Sequence, residues 1–168
     1  MDDHVRTLEM AAASYLGQGN VPCYRGPVLF DHQGGSKVQN MWSLWTAHYK
    51  KYRSILMADA VHVTRPGQNG GAIETSVHVD ARSQHAFVNF FNPKPSAVSK
   101  RVQLPLYYAG LSPGARVALT WGGSLIDPAT WPVPPSSSAI VVADFTLRLN
   151  VTVEAQAFLW LAIAPAKI

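Results

Sequence analysis

The stretch SKVQNMWSLWTAHYKKYRSILM, residues 36–57, decides the fold, because whatever it packs against sets the rest of the architecture. Apolar residues recur at Val38, Met41, Trp42, Trp45, Tyr49, Tyr52 and Leu56, the three-and-four spacing of one helix face. Lys37, Asn40, Lys50, Lys51 and Ser54 fall on the opposite face. Ser36 and Gln39 have capping-box spacing, and Lys50, Lys51 and Arg53 gather where cations suit the negative pole of the helix dipole. At 1.5 Å per residue the helix runs roughly 30 Å, enough to cross a domain. Its stripe holds two tryptophans and two tyrosines. That much aromatic surface needs a cover.

N-terminal to it, Asp2 or Asp3 is placed to cap a first helix ending near Leu16, with Val5, Leu8, Ala12 and Tyr15 as its buried stripe and Gly17 as its stop. Asn20 to Gly26 reads as a brief strand, and 27–35 as the loop into the long helix. Helix, strand, helix is the grammar of an α/β unit. One strand cannot close a sheet. From Asp59 onward the pattern turns to short β-rich runs: 60–64, 73–79, 85–91, 98–106, 115–121, 140–153 and 157–163. Turn signals separate them, and no helical period intervenes, which predicts an antiparallel β-sandwich. The proline-rich stretch 127–138 is an irregular loop. The fold class is therefore mainly β, with residues 1–57 a helix-strand-helix unit and 58–168 the sandwich.

Composition narrows the function. The chain has 168 residues, enough for one ordinary domain. Apolar residues make up 48% and charged ones 14%, which allows a core and argues against disorder. No run of about 18 apolar residues predicts a membrane span, and the N-terminus lacks the basic and apolar regions of a secretory signal. A net charge of +4, without clusters of Arg and Lys among aromatics, gives no reason to expect a nucleic-acid partner. Cys23 is the sole cysteine, so an internal disulfide is excluded, and it reads as a small buried hydrophobe. The six histidines show no HxH or HExxH spacing, so neither a metal nor a cofactor is expected. Localisation stays open.

Five passages carry a family resemblance. Cys23-Tyr24-Arg25-Gly26-Pro27, then residues 48–56 (HYKKYRSIL), and then 59–66 (DAVHVTRP) resemble the C-terminal end of large bacterial-type glycoside hydrolases related to the α-galactosidase clan. Phe90-Phe91-Asn92-Pro93 and residues 104–111 (LPLYYAGL) are similar to the sandwich of those proteins. The resemblance implies a (β/α)8 barrel followed by a β-sandwich, with residues 1–57 as the last helix-strand-helix of the barrel. It also implies that the catalytic carboxylates lie upstream, and that carbohydrate is met through the parent barrel.

The residues themselves agree that the chemistry is incomplete. Glycoside hydrolysis needs two carboxyl groups flanking the bond. Of the ten acidic residues, only Asp31 follows the 20–26 strand closely enough to reach a barrel's active face. No catalytic residue is assigned. Tyr24 and Arg25 fall at the strand's C-terminal end, where barrel sites lie: a tyrosine ring stacks on a sugar face and a guanidinium bonds hydroxyls. Tyr24, Arg25 and Asp31 are the candidate substrate-binding residues. Their structural reading is loop packing and ion pairing. Trp42, Trp45, Tyr49 and Tyr52 are expected to pack on the missing barrel or a partner chain, and proteolysis is expected to leave a core starting near Asp59. The alternative functions are a free-standing carbohydrate-binding sandwich with an exposed aromatic platform, and a non-catalytic interaction module.

Overall fold

The computed structural model describes residues 3–20, 35–64, 73–129 and 133–166. Among these residues two helices, α1 (Asp3–Leu16) and α2 (Gly35–Leu56), precede eight strands. These are β1 (Asp59–His62), β2 (Glu74–Asp80), β3 (His85–Asn92), β4 (Val98–Pro105), β5 (Arg116–Gly122), β6 (Ser137–Ile140), β7 (Thr146–Val153) and β8 (Ala157–Pro165). A short 3-10 turn, Tyr107–Ala109, follows β4. Neither described helix is long and apolar enough to cross a membrane.

All strand pairs are antiparallel, as hairpin-rich β sequence predicts. Six strands form one sheet in the order β1-β2-β3-β8-β5-β6, and β4 pairs with β7 in a second. The register assigns each face, because directly opposed residues point the same way. Val77, Val88 and Leu161 share one row, as do Phe90 and Leu159. These face the β4–β7 sheet, whose inward residues are Val102, Leu104, Leu147 and Val151. Phe87, Asn89, Phe91, Phe158 and Trp160 lie on the other face, beneath the helices. β3 is therefore buried on both sides from Ala86 to Asn92. This is why it reads as a nearly continuous apolar run and not as an alternation. The result is three layers: a helix pair, a six-stranded sheet and a two-stranded sheet.

α1 is tied to the sheet at three points. The Arg6 guanidinium donates to the Ala155 carbonyl at 2.8 Å in the β7–β8 turn. Glu9 binds the loop after β5. The Asn89 side-chain amide of β3 donates to the Gly17 carbonyl at 2.7 Å, satisfying a helix-end acceptor that would otherwise be orphaned. The chain leaves α1 through Gly19, in the left-handed region with φ 73°. A Cβ there would stand 2.2 Å from the Leu56 carbonyl oxygen, so glycine lets the C-terminal ends of the two helices meet.

The structure moves both helical stripes. In α1 the buried line is Val5, Glu9, Ala12, Ala13 and Leu16, whereas Tyr15, expected inside, is 51% exposed. In α2 it is Val38, Met41, Trp45, His48, Tyr52, Ile55 and Leu56. Trp42 and Tyr49 stand half-buried at its flank. His48, absent from the expected stripe, lies in it, and two of the expected aromatics stand at its edge. The run expected as one strand over 140–153 is split into β6 and β7 by a turn at Val142–Phe145, closed by the Phe145 amide on the Val142 carbonyl at 2.9 Å.

Candidate functional site

The substrate-binding candidates Tyr24, Arg25 and Asp31, and the 20–26 strand that would present them, lie outside the described residues. Cys23 lies outside them too. Of the aromatic stripe expected to await a partner, Trp45 and Tyr52 are already covered. Trp45 meets Phe158 edge-on at 5.5 Å, and Tyr52 lies 4.8 Å from Phe87. The six-stranded sheet of this same chain supplies their cover, because its helix-facing side is itself apolar and aromatic. Trp42 and Tyr49 retain partial exposure, and Trp42 borders a shallow cleft with Gln39, Ser43, Thr46, Ala47 and Lys50.

Three of the described acids, Glu9, Asp80 and Asp144, have structural work. Glu9 is fully buried and meets four donors. Its Oε1 accepts from Leu125 N at 2.7 Å, Ile126 N at 3.3 Å and Trp45 Nε1 at 3.3 Å. Its Oε2 accepts from Ser124 Oγ at 2.7 Å, and that hydroxyl accepts in turn from Asp127 N at 3.0 Å. Four donors around an acceptor-only carboxylate satisfy it without a cation. Asp80 closes the β2–β3 turn, where the Ser83 hydroxyl and then the Arg82 and Ser83 amides hold its carboxyl below its usual range. Asp144 does the same before β7, held down by the Thr146 hydroxyl and Arg148. Asp144 is an exposed turn residue, and Asp80 is half-buried at the end of β2.

Two clefts adjoin the outer side of α1. The larger, about 730 Å³, is lined by residues including Arg6, Met10, Gln18, Glu74 and Phe91. The smaller, about 200 Å³, shares Gln18, Glu74 and Phe91 and adds His62 and Thr64. Among the described residues Glu74 is the single carboxylate in either lining, so these residues do not supply the pair that glycoside hydrolysis needs. No group of three or more metal-ligating side chains occurs among the described residues.

Sequence reasoning missed Glu9 and His48. His48 is packed among Trp45, Tyr52, Phe87 and Trp160, with ring centroids 4.8–5.6 Å away. Its Nε2 is buried without a hydrogen-bond partner, and burial, helped by Lys51, lowers its pKa to about 4. Desolvation also lowers the pKa of His78, against a hydrogen bond to the Leu56 backbone that raises it. The signal for Glu9 was present: it is four residues after Val5 and four before Ala13, on the stripe itself.

No protein-family model matches the chain, and no curated protein sequence matches it. Solved structures do. The chain is similar to an α-amylase from Geobacillus thermoleovorans, with a TM-score of 0.57 and 10% identity over 97% of this chain and 34% of that one. It is similar to a candidate α-N-acetylgalactosaminidase from Bacillus halodurans, with a TM-score of 0.49 and 16% identity over 96% of this chain and 31% of that one. A GH39 enzyme from Xanthomonas axonopodis pv. citri follows, with a TM-score of 0.44 and 12% identity over 73% and 30%. These neighbours are glycoside hydrolases, and the chain spans about a third of their length. At such identities the likeness is one of fold.

Proposed function

We propose that this chain is the C-terminal, non-catalytic part of a carbohydrate-active glycoside hydrolase, its sandwich supporting a barrel that supplies the catalytic carboxylates. In this reading residues 1–57 are the end of the barrel and 58–168 the sandwich. The observation that carries it is the joint at Glu9. A supporting domain must hold its neighbour rigidly, whereas ordinary interdomain contacts are polar and mobile. Here one buried carboxylate bonds α1, α2 and the loop after β5 together, so the helix pair cannot slide on the sheet without stranding a charge. The fold likeness to an α-amylase over nearly the whole chain supports the same reading.

In this reading Tyr24, Arg25 and Asp31 serve as substrate contacts, and Trp42 and Tyr49 contribute to the seam with the rest of the barrel. Purified chain offered a panel of aryl glycosides should release no chromophore above the buffer rate. Turnover abolished by Asp31→Asn, and kept in a surface control, would overturn the reading. In the longer parent, Arg25→Ala should lower kcat/KM by more than its change in melting temperature explains.

A further inference from the structure

We propose that the outer face of the β4–β7 sheet, with the aromatic turn at its end, is a binding surface for a neutral glycan chain. The inference does not rest on the hydrolase reading, because such a face would serve a binding module equally well. The register places Ser99 opposite Thr152, Arg101 opposite Asn150 and Gln103 opposite Arg148. All six are exposed, while the alternate positions Val102, Leu104, Leu147 and Val151 are buried. The outward rows are thus hydroxyls, amides and guanidinium groups, which offer donors and acceptors in planar arrays. From Ser99 to Pro105 the ladder runs roughly 20 Å, at about 3.3 Å per residue.

At the end of the ladder stand Tyr107 and Tyr108, 63% and 55% exposed. Their rings meet edge to face at 5.5 Å, and Tyr107 meets Phe145 the same way at 5.4 Å. The turn carrying them is fixed: the Ala109 amide donates to the Leu106 carbonyl at 3.1 Å, Gly110 to Tyr107 at 2.9 Å and Leu106 to Phe145 at 2.9 Å. Phe145 occupies the left-handed region with φ 61°. Glycine or asparagine suits that position, and a bulky ring there is an outlier. Strain of this kind accumulates at functional positions. The ring it retains props Tyr107.

The chemistry selects the ligand. A sugar ring has an apolar C–H face and a rim of hydroxyls, matching the exposed aromatics on the turn after β4 together with the polar ladder along the strand. A phosphate polymer would call for a cationic surface. Here Arg148 is paired with Asp144, and Arg101 and the neighbouring exposed Lys100 are the remaining cations of the two strands. A docked protein would call for an apolar centre, and the rows between the strand ends are polar.

Affinity electrophoresis of the intact chain through gels containing soluble starch, xylan, galactomannan or mixed-linkage glucan tests the proposal, with sulfated dextran as the polyanion probe. Migration should be retarded in at least one neutral gel, and Y107A/Y108A should weaken that retardation tenfold or more. R101A/Q103A, on exposed positions that leave the core untouched, should weaken it as well. Phe145→Gly should keep the chain folded and still reduce binding, which a purely structural ring would not do. No retardation in any neutral gel would overturn the proposal. So would retardation by sulfated dextran alone, or retardation that all three variants leave unchanged.

Discussion

Glu9 and His48 are two polar residues buried by the same packing, and they answer to it differently. Glu9 has four donors, and removing its carboxylate leaves Trp45 Nε1, Ser124 Oγ and two backbone amides facing apolar surroundings. Stranding buried polar groups is among the costlier single changes, so Glu9→Ala should lose about 3–5 kcal/mol in urea unfolding. Glu9→Gln keeps the shape but turns one acceptor into a donor, and should fall between the two. His48 titrates instead. Its folded pKa of about 4 lies below the unfolded value near ~6.5, so the native state binds fewer protons across that window. Stability must then rise with pH between about 4 and 6.5 and be lost on acidification, by about 3 kcal/mol at most. Unfolding free energies measured from pH 4 to 7 check this. His48→Phe should flatten the curve, leaving the smaller slope contributed by His78, whose pKa is also lowered. An unchanged slope would remove His48 from the account.

Elements were legible where local pattern and burial agreed. The long helix, its approximate ends and most strands follow from periodicity, because spacing reports a face whatever covers it. What periodicity could not supply was the identity of the cover. The apolar spacing left His48 out of the stripe, yet the four rings around it belong to the helix itself and to two strands about 40 and 110 residues away in sequence. Likewise the single expected strand over 140–153 concealed a turn, because Phe145 stands where a glycine would have announced it. Tyr24, Arg25 and Asp31 remain readings of sequence, outside the described residues. Close approach between strands gives a prediction at this scale. A Cβ on Gly122 would fall 2.0 Å from the Trp160 ring, which its Nε1 bond to the Gly123 carbonyl at 3.2 Å fixes in place. Gly122→Ala should cost about 1–3 kcal/mol by overpacking, read as a melting temperature lower by about 2–4 °C for each kcal/mol. A variant as stable as the parent would show that Trp160 can turn aside.

For the whole molecule, the central claim is that the helix pair and the sandwich form one cooperative body joined through Glu9. The sequence suggested instead a sandwich that keeps its own core and a helical third that does not. That expectation followed from counting strands; the packing that favours one body instead is that the six-stranded sheet is apolar on both faces. Val5, Met41, Trp45 and Tyr52 share one buried cluster with Phe87, Phe158 and Leu161, and α1 is bonded to the strands or their turns at Arg6, Glu9 and Gly17. The layer the helices cover is the centre of the fold. Native-state hydrogen exchange tests this most directly, since it reads the opening free energy of each element separately. The amides of Met41 to Leu56 should exchange with the same free energy as those of β3 and β8, and Glu9→Ala should lower both together. If the helical amides opened several kcal/mol below the strands, with β3 and β8 unaffected by Glu9→Ala, the helix pair would be a loosely seated appendage and the claim would be contradicted.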